Sequence, residues 1–214
     1  MLNVSVLITS WLSQLAYRHL RSLLSGKSSP TVLVAPVTGI MLDLQMRCQQ
    51  LRQDGIPISS LVVERNEDHI NAEDLKNLKA AEYDVIFISP EAIEPWRHVW
   101  RSKVFKDAKC LLAIDEAHCL TTWSSEDFRP AFKKVKDLAA LLQSNTLVCT
   151  ATCTEKMQRE ILEITGIKDE TLSTVAELPD RPNIFLDVKD ATSYFQDLLP
   201  LINEIKEKQD STTK

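Results

Sequence analysis

The strongest constraint on this chain is a repeated alternation. Short runs of β-branched and apolar residues fall at Val4–Ile8, Thr31–Ala35, Ser60–Val63, Asp84–Ser89, Leu111–Asp115, Leu147–Thr150 and Ile184–Val188. Between them run stretches with helical periodicity. Leu12, Leu15, Ala16, His19, Leu20, Leu23 and Leu24 form one apolar stripe, and Ile40, Leu44, Cys48 and Leu51 form another. Further helical patterns cover Phe128 to Leu142, Glu155 to Ile164 (with Gly166 as the C-cap) and about Ala191 to Lys208. Strands alternating with helices read as βαβ units. The runs LLAID and VIFIS are continuously apolar, as strands buried on both faces must be. The expected fold is α/β: a mostly parallel sheet with helices on both faces.

Composition removes several alternatives. A chain of 214 residues, 44% of them hydrophobic, can bury a core without cross-links. With 4 Gly and 9 Pro it is neither collagen-like nor low-complexity. A formal net charge of -5 excludes nucleic-acid binding by bulk charge, so any such site is a local basic or aromatic groove. The apolar run Val4 to Thr9 is too short to span a bilayer and lacks a basic leader. Five cysteines (Cys48, Cys110, Cys119, Cys149, Cys153), mostly inside apolar runs, read as reduced, buried thiols of an intracellular protein, nuclear or cytoplasmic. Cys149 and Cys153 with His118 form an alternative metal set, though no CxxC pair supports it.

Ligands of open parallel sheets bind beyond the carboxyl ends of strands, so those positions carry the chemistry. Asp115-Glu116-Ala117-His118 follows an apolar strand. A strand-end Asp can hold a Mg²⁺-bound water, and the next Glu can orient a water for in-line attack on a phosphate. Thr150-Ala151-Thr152 follows the next strand and supplies two hydroxyls able to bond the neighbouring carboxylate–histidine turn. Between them, Trp123, Phe128 and Arg129 lie in a polar loop. The aromatics can stack on unpaired bases and Arg129 can reach a phosphate, while Phe128 could equally cap the next helix into the core.

The blocks AIDEAHCLTTWSSEDFRPAF, LVCTATCTEKMQREILEITGI and DRPNI, in that order, resemble the RecQ family of superfamily 2 DNA helicases. TVLVAPVTGIMLDLQ resembles that family's motif Ia and DVIFISPEAI its motif Ib region. The resemblance implies a RecA-like, P-loop NTPase-type fold and ATP- and Mg²⁺-dependent, 3′-to-5′ unwinding of single-stranded or forked DNA by a monomer serving DNA repair and recombination. It assigns Mg²⁺ to Asp115, water activation to Glu116, coupling to His118, Thr150 and Thr152, and nucleic-acid contact to Trp123, Phe128, Arg129 and Pro36. It also divides the chain into a first motor domain over residues 1–178 and a β–α stub of the second over residues 179–214.

The chain departs from that pattern where the family carries its GxGKS phosphate loop. The corresponding turn is Thr9-Ser10-Trp11-Leu12-Ser13-Gln14. Ser13 stands at the Lys position, Gln14 at the Mg²⁺-binding Ser/Thr position, and no Gly is present. Thr9, Ser10, Ser13 and Gln14 are therefore weak nucleotide ligands, without the cation that holds β/γ oxygens and without glycine's freedom to turn N–H groups onto them. Gly26-Lys27-Ser28 reads as a helix-to-strand turn, the reverse of a P-loop. Ser124-Ser125 lengthens the aromatic loop by a residue, and Ala35 replaces the family's Ser. The remainder of the second motor domain, with its arginine finger, is expected to be missing. This chain alone is thus expected to be inactive, with a non-catalytic nucleic-acid- or protein-binding module as the alternative.

Overall fold

A computed structural model describes residues 29–66, 69–122, 129–168, 170, 172–175, 183, 190–191 and 193–212. The strands expected at Val4–Ile8 and Ile184–Val188, the Leu12–Leu24 stripe and the turn at Gly26–Ser28 lie outside the described residues. So do Thr9, Ser10, Ser13, Gln14, Trp123, Ser124, Ser125 and Phe128. The chain divides into two compact units, Met1–Pro179 and Asp180–Lys214.

In the first unit, β1 (Thr31–Val34), β2 (Ser60–Val63), β3 (Val85–Ile88), β4 (Leu111–Ile114) and β5 (Asn145–Val148) form a parallel sheet in the order β2-β3-β1-β4-β5. Thr31 pairs with Val85 on one side and Leu111 on the other. All four residues of β1, β3 and β4 are buried, as their unbroken apolar sequences require. Polar Asn145 and Thr146 fit β5, the strand at one end of that order, where burial is incomplete.

Chain direction decides which face each helix covers. Among the described strands, only the β1-to-β2 connection runs leftward in the sheet order; it carries α1 (Thr38–Gln53). The later connections run rightward, carrying α2 (Ala72–Lys79), the short α3 (Arg97–Trp100) and α4 (Lys103–Asp107), α5 (Cys119–Thr122) and α6 (Lys134–Leu142). Right-handed crossovers in opposite directions lie on opposite faces. Two cores result. Met41, Leu44 and Cys48 of α1 pack with Leu33, Phe87 and Ala113 on one face. Leu78, Trp100, Phe105, Leu138 and Ile161 of α7 (Glu155–Thr165) pack with Val32, Ile86 and Leu112 on the other. Each fully buried side chain of this size contributes about 1.5–3 kcal/mol.

Local chemistry fixes the ends. Asn71, Ser102 and Thr154 accept N–H bonds as N-caps of α2, α4 and α7. Gly166, at φ +72, closes α7 as expected of a left-handed C-cap. The single helix expected from Phe128 to Leu142 is instead a 3₁₀ turn, Pro130–Lys133, followed by α6. Pro130 opens the turn and cannot donate an N–H. In the second unit, α8 runs Tyr194–Thr212 and contains Pro200.

Candidate active site

Connections from β1 and β4 leave in opposite directions, so the gap between these neighbouring strands is the switch point of the sheet. β4 delivers Asp115 there. The Asp115 N–H continues the ladder by donating to the Val34 carbonyl (2.9 Å). Its Oδ1 accepts the Glu116 N–H (2.9 Å). Burial pushes the Asp115 carboxyl above its ordinary value. The Glu116 N–H bond opposes this, the Glu116 charge reinforces it and His118 opposes it. Glu116 adopts φ +49, a left-handed conformation unusual for a non-glycine. That turn brings the Ala117 N–H to the Cys149 carbonyl at the end of β5 (2.9 Å).

His118 joins the two strand ends. Its Nδ1 lies 3.1 Å from Thr150 Oγ1 and 3.1 Å from Glu116 Oε2. Thr150 donates its one hydroxyl hydrogen to the Thr152 carbonyl (3.0 Å), so its oxygen is an acceptor toward His118. A hydrogen on Nδ1 therefore serves both the carboxylate and the hydroxyl. Nε2 faces Cys119 Sγ at 3.6 Å. Burial first, and the Glu116 charge next, push the Cys119 thiol up to about 11, so it keeps its hydrogen and can donate to Nε2. Of the two hydroxyls expected to reach this turn, Thr150's does. Thr152 takes part through its backbone.

A cavity of about 390 Å³ opens beside these groups, on the face that α1 covers. Asp43, Ile40 and Leu44 of α1 line it together with Asp115, Glu116 and Thr150. The cysteines do not form the metal set considered from sequence. All five are free and buried, and Cys149 and Cys153 belong to cores on opposite faces. Among the described residues, no group of three or more His, Cys, Asp or Glu side chains could hold a metal by itself.

Arg129 lies where residues 123–128 rejoin the described structure. Its Nε and Nη2 donate to both Glu91 carboxylate oxygens (2.7–2.9 Å), and its Nη1 donates to the Pro36 carbonyl. The guanidinium carbon also sits 5.1 Å from the centroid of the Phe132 ring. Pro36 itself is buried. Two of the four residues assigned to nucleic-acid contact by resemblance, Arg129 and Pro36, are thus bonded to each other, with Glu91 as the third member. At the other end of the segment, the Thr121 and Thr122 hydroxyls donate to the His118 carbonyl (3.0 and 2.9 Å).

A family model described as DEAD/DEAH box helicase matches residues 11–160. The chain belongs to the DEAD/DEAH box helicase family. Among similar proteins, the ATP-dependent DNA helicase Q-like SIM of Arabidopsis thaliana is 27% identical over 208 residues, covering 90% of this chain and 23% of that protein. The bifunctional 3′-5′ exonuclease/ATP-dependent helicase WRN of Mus musculus is 26% identical over 202 residues, 94% of this chain and 13% of that protein. The ATP-dependent DNA helicase RecQ of Haemophilus influenzae is 29% identical over 162 residues, 72% of this chain and 24% of that protein. The chain therefore spans about a quarter or less of these three relatives. The crystal structure of the Pyrococcus furiosus Hef helicase domain is similar at 21% identity and TM-score 0.42, over 68% of this chain and 29% of that one. The RecQ resemblance drawn from the DEAH and DFRP blocks agrees with these relatives, and the parallel sheet with helices on both faces is the α/β architecture expected of a RecA-like helicase domain.

Sequence reasoning missed Glu91, Asp43 and the Thr121 and Thr122 hydroxyls. Glu91 follows the strand-end Ser89-Pro90, a position that the switch-point rule marks without giving its carboxylate a role. Its partner is 38 residues away, and sequence carries no sign of that pairing.

Proposed function

We propose that this chain works as the first motor domain of a RecQ-like 3′-to-5′ DNA helicase. On this reading it binds single-stranded DNA through the segment from Trp123 to Arg129 and senses nucleotide at Asp115 and Glu116. The carrying observation is the His118 Nδ1 hydrogen shared between Glu116 and Thr150, on a residue whose carbonyl also holds Thr121 and Thr122. A shift of the Glu116 carboxylate toward a water would release one of the two His118 partners at the root of the aromatic segment. ATP with Mg²⁺ is the cofactor this reading implies. Asp115 suits it, being a half-buried carboxylate whose charge a cation would relieve, and Mg²⁺ sites commonly use one or two carboxylates plus phosphates. When bound, the ion would neutralise phosphate charge. Glu116 would orient the attacking water and His118 would hold Glu116.

A specific observation favours a second reading, a binding module without turnover. Ser13 and Gln14 replace the Lys and the hydroxyl of the phosphate loop. Phosphoryl transfer is mostly positioning and charge stabilisation, so losing both leaves the phosphate that Glu116 should face poorly held. A fluorescent-nucleotide titration of the chain and of a variant with a Gly-rich GKS loop grafted over Ser10–Gln14 separates the readings. The motor-domain reading predicts weak binding that the graft strengthens, with Asp115→Asn reducing the gain. A graft that recovers no nucleotide binding contradicts it and leaves the binding module.

A further inference from the structure

We propose that Glu91 is a positioning residue for the DNA-binding segment, seating Arg129 so that the guanidinium anchors the loop and contacts no phosphate. The inference rests on the reading that residues 123–129 bind single-stranded DNA. A guanidinium fork fits a carboxylate and a phosphate equally well, and here the carboxylate of Glu91 holds it. Both Glu91 oxygens accept from Arg129, and the side chains are only 33% and 24% exposed. The Pro36 carbonyl takes a hydrogen from the opposite side of the fork, and the Phe132 ring packs against it.

Each partner is itself fixed. Glu91 stands in the 3₁₀ turn Pro90–Ala92 that closes β3, where the Ala92 N–H bonds the Ser89 carbonyl (3.0 Å). Pro36 follows Ala35, whose N–H bonds the Ile88 carbonyl (3.1 Å). The fork therefore ties the exit of the aromatic segment to the carboxyl ends of β1 and β3. Its entry is tied to the DEAH turn through Thr121 and Thr122. Paired with Glu91, Arg129 adds no net charge for a phosphate.

Charge and position make opposite predictions for Glu91→Gln. The substitution removes a negative charge and loosens Arg129, so a masking role predicts tighter DNA binding. It also predicts a steeper salt dependence, by about 0.7 in the log–log slope for one freed phosphate contact on a single strand. The positioning role predicts weaker binding, by about fivefold (about 1 kcal/mol), with the slope unchanged. The experiment is an anisotropy titration of a labelled single-stranded oligonucleotide at several salt concentrations. It compares the 214-residue chain with its Glu91→Gln, Arg129→Lys, Glu94→Gln and Trp123→Ala variants, each first checked by thermal melt. Arg129→Lys keeps the charge but not the fork, so it should match Glu91→Gln and stands in for it if that variant fails to fold. Glu94, one turn on and paired with Arg97 and Lys134, controls for charge alone and should bind as tightly as the parent or slightly tighter. Tighter binding or a steeper slope in Glu91→Gln overturns the proposal, as does unchanged binding in both fork variants while Trp123→Ala weakens it. No binding by the parent chain removes the DNA reading itself, and the proposal with it.

Discussion

Glu116 holds a carboxylate at the switch point through a backbone turn that L-residues avoid, and the strain can be measured. At φ +49 a non-glycine is destabilised by about 1–2 kcal/mol. Glu116→Gly removes that strain and adds unfolded-state freedom costing about 0.4–1 kcal/mol. Glu116→Ala keeps the strain. Both variants lose the half-exposed contact with His118, worth about 0.5 kcal/mol at most. The difference between them isolates the backbone and should favour Gly by about 0.5–1 kcal/mol, or about 1–4 °C in Tm for a chain of this size. Scanning calorimetry, or urea melts with matched m values, reads it directly. Gln143, also at φ +49 and far from the site as the C-cap of α6, is the control: Gln143→Gly should gain similarly. Glu116→Ala matching or exceeding Glu116→Gly in stability would refute the claim that the turn stores strain.

Two pH-linked predictions follow from burial. Asp115 has a raised pKa in the fold, so the folded chain holds that proton more tightly than the unfolded one, and stability falls as pH rises through the window between the two values. Asp115→Asn should therefore melt higher than the parent near neutral pH and lose the advantage in acid at about pH 4; equal melting near neutrality contradicts this. The Tyr83 hydroxyl donates to Asp74 Oδ1 (2.5 Å), and burial first, with Asp74 next, pushes its pKa up to about 12. Tyr83→Phe should cost about 1–2 kcal/mol at neutral pH. The parent should also lose stability above about pH 10 as the unfolded phenol ionises, a loss absent from the Phe variant in an alkaline melt series.

The sheet was legible because its central strands are uninterrupted apolar runs. Expected Thr31–Ala35, Asp84–Ser89 and Leu111–Asp115 each contain the observed strand, and Ser60–Val63 matches it. β5 starts two residues earlier than expected because Asn145 and Thr146 are polar, a pattern that hides a strand of incomplete burial. Between residues 64 and 110, the helices α2, α3 and α4 were not read from the sequence. The four- and five-residue α3 and α4 are held by packing, such as the edge-on contact of Trp100 with Phe105 (ring centroids 5.2 Å apart) and the Trp96 Nε1 bond to the Glu64 carbonyl (2.7 Å). In the site, Asp115, Glu116, His118 and Thr150 were readable because each lies within a few residues beyond the carboxyl end of a strand. The Arg129–Glu91–Pro36 clamp was not, because it joins two strand-end turns to the residue before the Pro130–Lys133 turn, all far apart in sequence.

The central claim, a helicase-type domain that grips single-stranded DNA through its aromatic segment, is tested most directly by titrating a labelled single-stranded oligonucleotide with this chain and with Trp123→Ala. A net charge of -5 leaves no bulk attraction to supply affinity, so binding has to come from the local segment. Stacking on one aromatic contributes about 1–3 kcal/mol, so Trp123→Ala should weaken binding about tenfold or more. Equal affinity of the two proteins, or no binding by either, would contradict the account.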